Sequence, residues 1–125
     1  MTKYWTAHIT AGVLILFLLG LHMAIMHMGG LLHLFAPHGG EAVSMENSLA
    51  RDGSLFFTLT YVIMLGVALY HGLYGLRTIL FELTLSPRME TAVTVGLIAL
   101  GIALFALGSM ATVAAHGMAS MGGRP

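Results

Sequence analysis

The chain has 125 residues, of which 58% are hydrophobic and only 8% charged, against roughly 25% charged in an ordinary soluble domain. Five Lys/Arg balance five Asp/Glu and cysteine is absent, which excludes a basic nucleic-acid footprint, disulfides, thiolate metal centres and cysteine nucleophiles. Seven His and ten Met stand out in so apolar a chain.

The placement of the charges says more than their number. There is no Asp, Glu, Lys or Arg between Lys3 and Glu41, between Asp52 and Arg77, or between Glu90 and Arg124. A bilayer core of ~30 Å takes about 20 apolar residues as helix, and each gap is long enough. Lipid admits only helices or closed barrels, and three segments cannot close a barrel. The expected fold is therefore an all-α membrane protein, a single domain over 1–125 with transmembrane helices near 5–30, 54–82 and 90–117. A soluble bundle needs polar outer faces, and these stretches have none.

In chain order, Tyr4 and Trp5 stand where an interfacial aromatic anchor belongs. The apolar run behind them is longer than the roughly 7–15 residues of a signal-peptide core, so the first span is expected to be retained. The lack of a presequence suggests a prokaryotic inner membrane. That span is expected to end at Gly29-Gly30. Residues 31–53 carry Pro37, Gly39-Gly40 and the acidic Glu41, Glu46 and Asp52, and read as an external loop with room for a short surface helix. Ser86-Pro87 makes the turn into the third span, with Pro87 suited to a first helical turn. The third span is rich in Gly96, Gly101, Ala103, Ala106, Gly108 and Ala111, residues that let helix backbones approach closely in lipid. Met121 to Pro125 reads as a frayed tail. Lys3, Arg77 and Arg88 lie on one side of the membrane and Arg51 and Arg124 on the other, which favours a cytoplasmic N-terminus.

Ionisable residues inside a span are costly and mark function. His71 lies within the second span, after an uncharged run from Leu55 to Tyr70. Gly75, four residues on, shares its face and lowers the wall beside it, leaving room for a flat macrocycle. Arg77 is ~9 Å further along the helix axis, near the surface, where a guanidinium can hold an anion and stay hydrated. Glu82 follows at the helix end. In the first span, His22 lies ~25 Å deeper than Trp5, in the outer half, whereas His71 is in the inner half. The two are not expected to share one metal, and each needs a partner ligand from another chain. His8 belongs to the inner interface, His27 to the loop edge, and His116 closes the third span on the hydrated outer side.

The segment His71-Gly-Leu-Tyr-Gly75-Leu-Arg77-Thr-Ile-Leu-Phe-Glu82 resembles the second-helix motif of the membrane-anchor cytochrome b subunits of succinate dehydrogenase and fumarate reductase. Three helices in a chain of this length resemble those anchors as well. The resemblance implies a bundle formed with a second three-helix anchor, an iron–sulfur subunit and a flavoprotein subunit docked on it, and lipid around it. It implies haem b on His71, with Gly75 and Arg77 beside it, and Arg77 also near a quinone. Glu82 stands where the family has an acidic residue, usually Asp, near the quinone site, and Leu83 where a Tyr often follows. The family's serine and arginine at the start of the first helix have no clear counterpart around Trp5 and His8, the residues left to complete a quinone site here. Leu19-Gly20-Leu21-His22-Met23 is similar to the first-helix region of two-haem members, which implies His22 as ligand of a second haem. No residue is expected to be catalytic in the succinate reaction, since the chain has neither Cys nor a dinucleotide motif.

Other readings stay open on the residues alone. A haem b subunit of another quinone-linked dehydrogenase would use the same His71. The run His22-Met-Ala-Ile-Met26-His27-Met28, followed by His33 and His38, has soft and borderline donors suited to copper. A purely structural assembly subunit would use its histidines for interhelical hydrogen bonds.

Overall fold

The computed structural model describes residues 2–27 and 44–122. It is all-helical there, in the order α1 (Thr2–His27), α2 (Met45–Asp52), α3 (Leu55–Phe81) and α4 (Pro87–Gly122). Three of these, α1, α3 and α4, are long and apolar enough to cross a membrane. The expected end of the first span at Gly29-Gly30, and the residues Met28, His33, Pro37, His38 and Glu41, lie outside the described residues. The short helix allowed for in the external segment is α2. The third long helix starts earlier than 90 and continues past 117, to Gly122.

The long helices follow from composition. Their residues are chiefly Leu, Ile, Val, Ala, Phe and Met, with polar residues too sparse to interrupt an apolar surface. Thr6, Thr60, Thr78, Thr91 and Thr112 return their hydroxyls to the carbonyl four residues back, which removes a donor from the lipid. Helix α4 opens on Pro87, with the Glu90 amide bonded to the Ser86 carbonyl. Between α3 and α4, Thr84 has φ 53°, a left-handed conformation that is unusual for a β-branched residue.

α3 is the central helix and packs against both α1 and α4, while α2 lies against α4 and α3. The long helices run antiparallel in turn. One end, here the near end, holds the start of α1, the end of α3 and the start of α4; α2 is at the far end. The surface is apolar: Leu16, Phe17, Ile63, Ile79, Ile102 and Leu107 are all exposed. Side chains that face lipid gain nothing by turning inward, so packing rests on shape and close approach. Glycines supply that approach between α3 and α4. A methyl group at Gly101 would stand 2.8 Å from Cδ1 of Leu73, and one at Gly108 would stand 2.5 Å from Cδ2 of Leu65. Gly66 of α3 receives the Phe105 ring of α4 in the same way. Gly96 has no neighbour within 4 Å among the described residues.

The best-buried side chains are polar and sit at the far end. Asn47 and Arg51 of α2 are 0% and 4% exposed, and Thr58 at the start of α3 is 5% exposed. The short helix turns its polar side onto α3 and α4, where Arg51 also reaches the Ser48 hydroxyl at 3.3 Å.

Candidate functional site

His8 and His71 meet where α1 crosses the near half of α3. Their rings stack with centroids 4.2 Å apart and planes 6° from parallel. Each histidine is followed four residues later by a glycine, Gly12 on α1 and Gly75 on α3, and each ring faces the glycine of the opposite helix. A methyl at Gly12 would stand 2.9 Å from Cε1 of His71, and one at Gly75 would stand 3.4 Å from Cε1 of His8. The antiparallel crossing makes this exchange reciprocal. In this chain the room beside Gly75 receives the His8 imidazole, the flat group nearest to it.

His71 Nδ1–H donates to the His8 carbonyl, N···O 3.1 Å. A carbonyl can only accept, so the hydrogen is on Nδ1 and the lone pair of the neutral ring is on Nε2. His8 Nδ1 is buried with no hydrogen-bond partner among the described residues. Two tyrosines flank the pair from α3. Tyr74 lies 5.0 Å from the His8 ring and stacks with Tyr70 at 5.8 Å. The Tyr70 hydroxyl donates to the Tyr4 carbonyl at 3.1 Å, fastening the start of α1 to α3.

Arg77 lies one and a half turns below His71, half-buried between α3 and α4. Its Nε–H donates to the Thr94 hydroxyl at 2.9 Å, and its guanidinium lies 4.0 Å from the centre of the Phe81 ring. Thr94 in turn donates to the Glu90 carbonyl at 2.8 Å. The arginine is thus aimed at α4 and is not ion-paired with Glu82 among the described residues; Glu82 is exposed at the end of α3. Beside Arg77 a cleft of about 680 Å³ opens between α3 and α4, with Tyr4, Tyr70 and Tyr74 on one wall and Thr94, Ile98 and Gly101 on the other. It is apolar along its length and polar at the Arg77–Thr94 floor, a shape suited to an amphiphile with a small polar head.

Of the residues singled out for a quinone, Arg77 lines this cleft. Trp5 and Glu82 are exposed outside its lining, and His8 lies behind Tyr74. Tyr70, Tyr74 and Thr94 are lining residues that sequence reasoning passed over, and Tyr4, expected only as an interfacial anchor, lines the cleft as well. The segment Tyr70-His71-Gly-Leu-Tyr74 carried a usable signal, since its two aromatics are four residues apart and share a face.

His22 is on α1 with its ring edge-on to Tyr61 of α3 at 6.2 Å. Tyr61 is ~15 Å along α3 from His71, so His22 and His71 occupy separate levels. His116 does not close α4, and its Nδ1 is taken by the protein itself. Its Nδ1–H donates to the Asp52 carbonyl at 2.6 Å and lies 3.3 Å from the Thr58 hydroxyl, and the helix continues beyond it.

Among the described residues no three His, Cys, Asp or Glu side chains converge as a site for a bare metal ion. No family model, curated protein or solved structure matches the chain.

Proposed function

We propose that this chain is a membrane-anchor subunit of a succinate:quinone oxidoreductase, holding haem b through His71 and contributing to the quinone site. The observation that carries the reading is the state of His71. It lies on the central helix at membrane depth, with Nδ1 committed to the His8 carbonyl. Imidazoles that bind metals characteristically donate their other ring nitrogen to a carbonyl or carboxylate, which fixes the tautomer and raises the basicity of the ligand. The donor set suits haem better than a bare ion, because porphyrin supplies four nitrogens and asks this chain for one. His8 Nδ1, buried without a partner, is an atom that a bound group can satisfy. The Arg77 guanidinium is a counter-ion for a propionate, within reach of the surface.

A second ligand for the haem would come from a second anchor subunit, as would the remaining walls of the bundle. His22, edge-on to Tyr61, would hold a second haem at its own level, again shared with the partner anchor. Haem b, when bound, supplies reversible one-electron storage. The protein's contribution is to hold His71, exclude water and seat the quinone. Quinone reduction takes two electrons and two protons. The electrons come from succinate by way of flavoprotein and iron–sulfur subunits docked at the near end. Arg77, anchored by Thr94, orients a quinone carbonyl in the cleft, and exposed Glu82 brings protons from the aqueous side. In this reading the near end and the N-terminus face the cytoplasm of a prokaryote, which the basic Lys3, Arg77 and Arg88 on that side support.

The test is the optical spectrum and haem-to-flavin ratio of the complex purified from native membranes, repeated with His71→Ala and His22→Ala. Loss of one haem in each variant, with the remaining subunits still associated, supports the reading. An unchanged haem content in His71→Ala removes it. Partners other than a flavoprotein–iron–sulfur pair would reassign the chain to a different quinone-linked dehydrogenase.

A further inference from the structure

We infer that one turn of α1, His8 to Gly12, is the positioning element that sets the direction of the His71 imidazole, with Gly12 the residue that permits it. The inference rests on the reading of His71 as a haem ligand and deepens it: to the His8 carbonyl, already placed on Nδ1, it adds the stacked His8 ring and the close approach at Gly12.

Three constraints converge on the His71 ring, and all come from this turn. The His8 ring covers one face at 4.2 Å and 6°. The His8 carbonyl holds Nδ1 at 3.1 Å. The backbone at Gly12 closes the edge: a methyl there would be 2.9 Å from Cε1 and 3.3 Å from Nδ1. Contacts under 3.0 Å between a Cβ and a ring carbon are not sustained, so any larger residue at position 12 pushes the imidazole away from the His8 carbonyl. The converse position is looser, since a methyl at Gly75 meets His8 at 3.4 Å, an ordinary contact. The pair is therefore asymmetric. α1 restrains His71 more tightly than α3 restrains His8.

Restraint at Nδ1 has a chemical consequence at Nε2. A hydrogen bond from Nδ1–H to a carbonyl makes the imidazole more electron-donating, and second-shell bonds of this kind tune the reduction potential of the ligated iron. Lengthening that bond makes the ligand poorer and favours the reduced, less charged iron. Gly12→Ala is expected to raise the midpoint potential of the His71 haem and to alter its low-spin electron paramagnetic resonance signal, because both the donor strength and the ring plane change.

Two measurements separate this inference from the reading beneath it. In the full chain, reconstituted in lipid without added haem and labelled at histidine nitrogen, His71 is expected to show a single Nδ1–H tautomer. Gly12→Ala is expected to show a mixture, and Gly20→Ala, with nothing within 4 Å of its added methyl, the wild-type pattern. In the assembled complex, Gly12→Ala is expected to keep its haem and shift its potential upward. If Gly12→Ala fails to assemble, His8→Ala decides the matter: it removes the stacked ring while keeping the carbonyl, and is expected to broaden the resonance signal. An unchanged His71 tautomer in Gly12→Ala, or unchanged potential and resonance signals in the variants that assemble, overturns the inference. Haem retained in His71→Ala overturns the underlying reading instead, and leaves the tautomer result to judge the clamp alone.

Discussion

The imidazole of His71 lies flat against that of His8, although 63 positions separate them in the chain. The contact joins the first and central transmembrane helices. It also turns two histidines that look independent in sequence into one structural unit. Four further expectations follow from the packing around that unit and at the two ends of the bundle.

Thr94 holds Arg77 by a single hydrogen bond to Nε. Thr94→Val keeps the shape and removes the acceptor. Loss of one such bond costs about 1 kcal/mol, which is ~5-fold in an equilibrium constant. If Arg77 seats the proposed quinone, the variant is expected to raise KM of the purified complex for a soluble quinone analogue several-fold, with a smaller effect on kcat. Equal KM values in variant and wild type would detach Arg77 from the quinone.

Gly108 and Gly96 lie on the same helix and predict opposite outcomes. A methyl at Gly108 collides with Leu65 across the α3–α4 interface, whereas one at Gly96 meets nothing within 4 Å. Gly108→Ala is expected to lower stability by about 1–3 kcal/mol through overpacking. Gly96→Ala is expected to be neutral or stabilising by up to about 1 kcal/mol, since alanine is the better helix former. Thermal unfolding in one detergent, followed by circular dichroism, compares the two directly.

Thr84 occupies the left-handed region at φ 53°. A side chain there costs roughly 1–2 kcal/mol that glycine does not. Thr84→Gly is therefore expected to raise the unfolding temperature of the chain. A lowered temperature would mean that the threonine side chain makes compensating contacts.

His116 supplies the donor to the Asp52 carbonyl and lies against Thr58. His116→Ala removes the shorter of the two hydrogen bonds to that carbonyl and leaves the Thr58 hydroxyl at 3.4 Å, at a cost of about 1 kcal/mol. The variant is expected to loosen the far end selectively, seen as faster amide exchange at Asp52 to Thr58 with little change around His71. Uniform protection across the chain would contradict a local role.

The three spans were legible because charge is excluded from lipid and the gaps between charged residues exceed a bilayer's thickness. Pro87 and the Ser86 turn were legible for an equally local reason. The partnership of His8 with His71 was not, because it depends on the crossing of two helices, and His8 alone reads as an interfacial residue. The His-x-x-x-Gly spacing occurs on both helices, at His8–Gly12 and His71–Gly75, and only their antiparallel contact gives that repetition a meaning. Gly75 illustrates the point: its lack of a side chain was evident, but which flat group lies beside it was not. His116 was placed at a hydrated helix end because the length of α4 was underestimated; in the fold it is held by a carbonyl and a hydroxyl. Thr94 escaped notice since a threonine in an apolar span has an ordinary role in bonding its own helix, and here it does that and receives Arg77 as well.

The burial of α2 has a consequence for how the protein rides in its membrane. α4 has 36 residues, a length of ~54 Å against a hydrocarbon layer of ~30 Å, so its apolar length alone does not specify which part is immersed. α2 carries Arg51 and Asp52 and is clamped to α3 and α4 through Thr58 and His116. Sinking that turn into the acyl chains is costly for its part-exposed Asp52, even with Arg51 turned into the protein. It therefore acts as a waterline, marking how far the helices can sink and leaving the last turns of α4 standing clear of the bilayer.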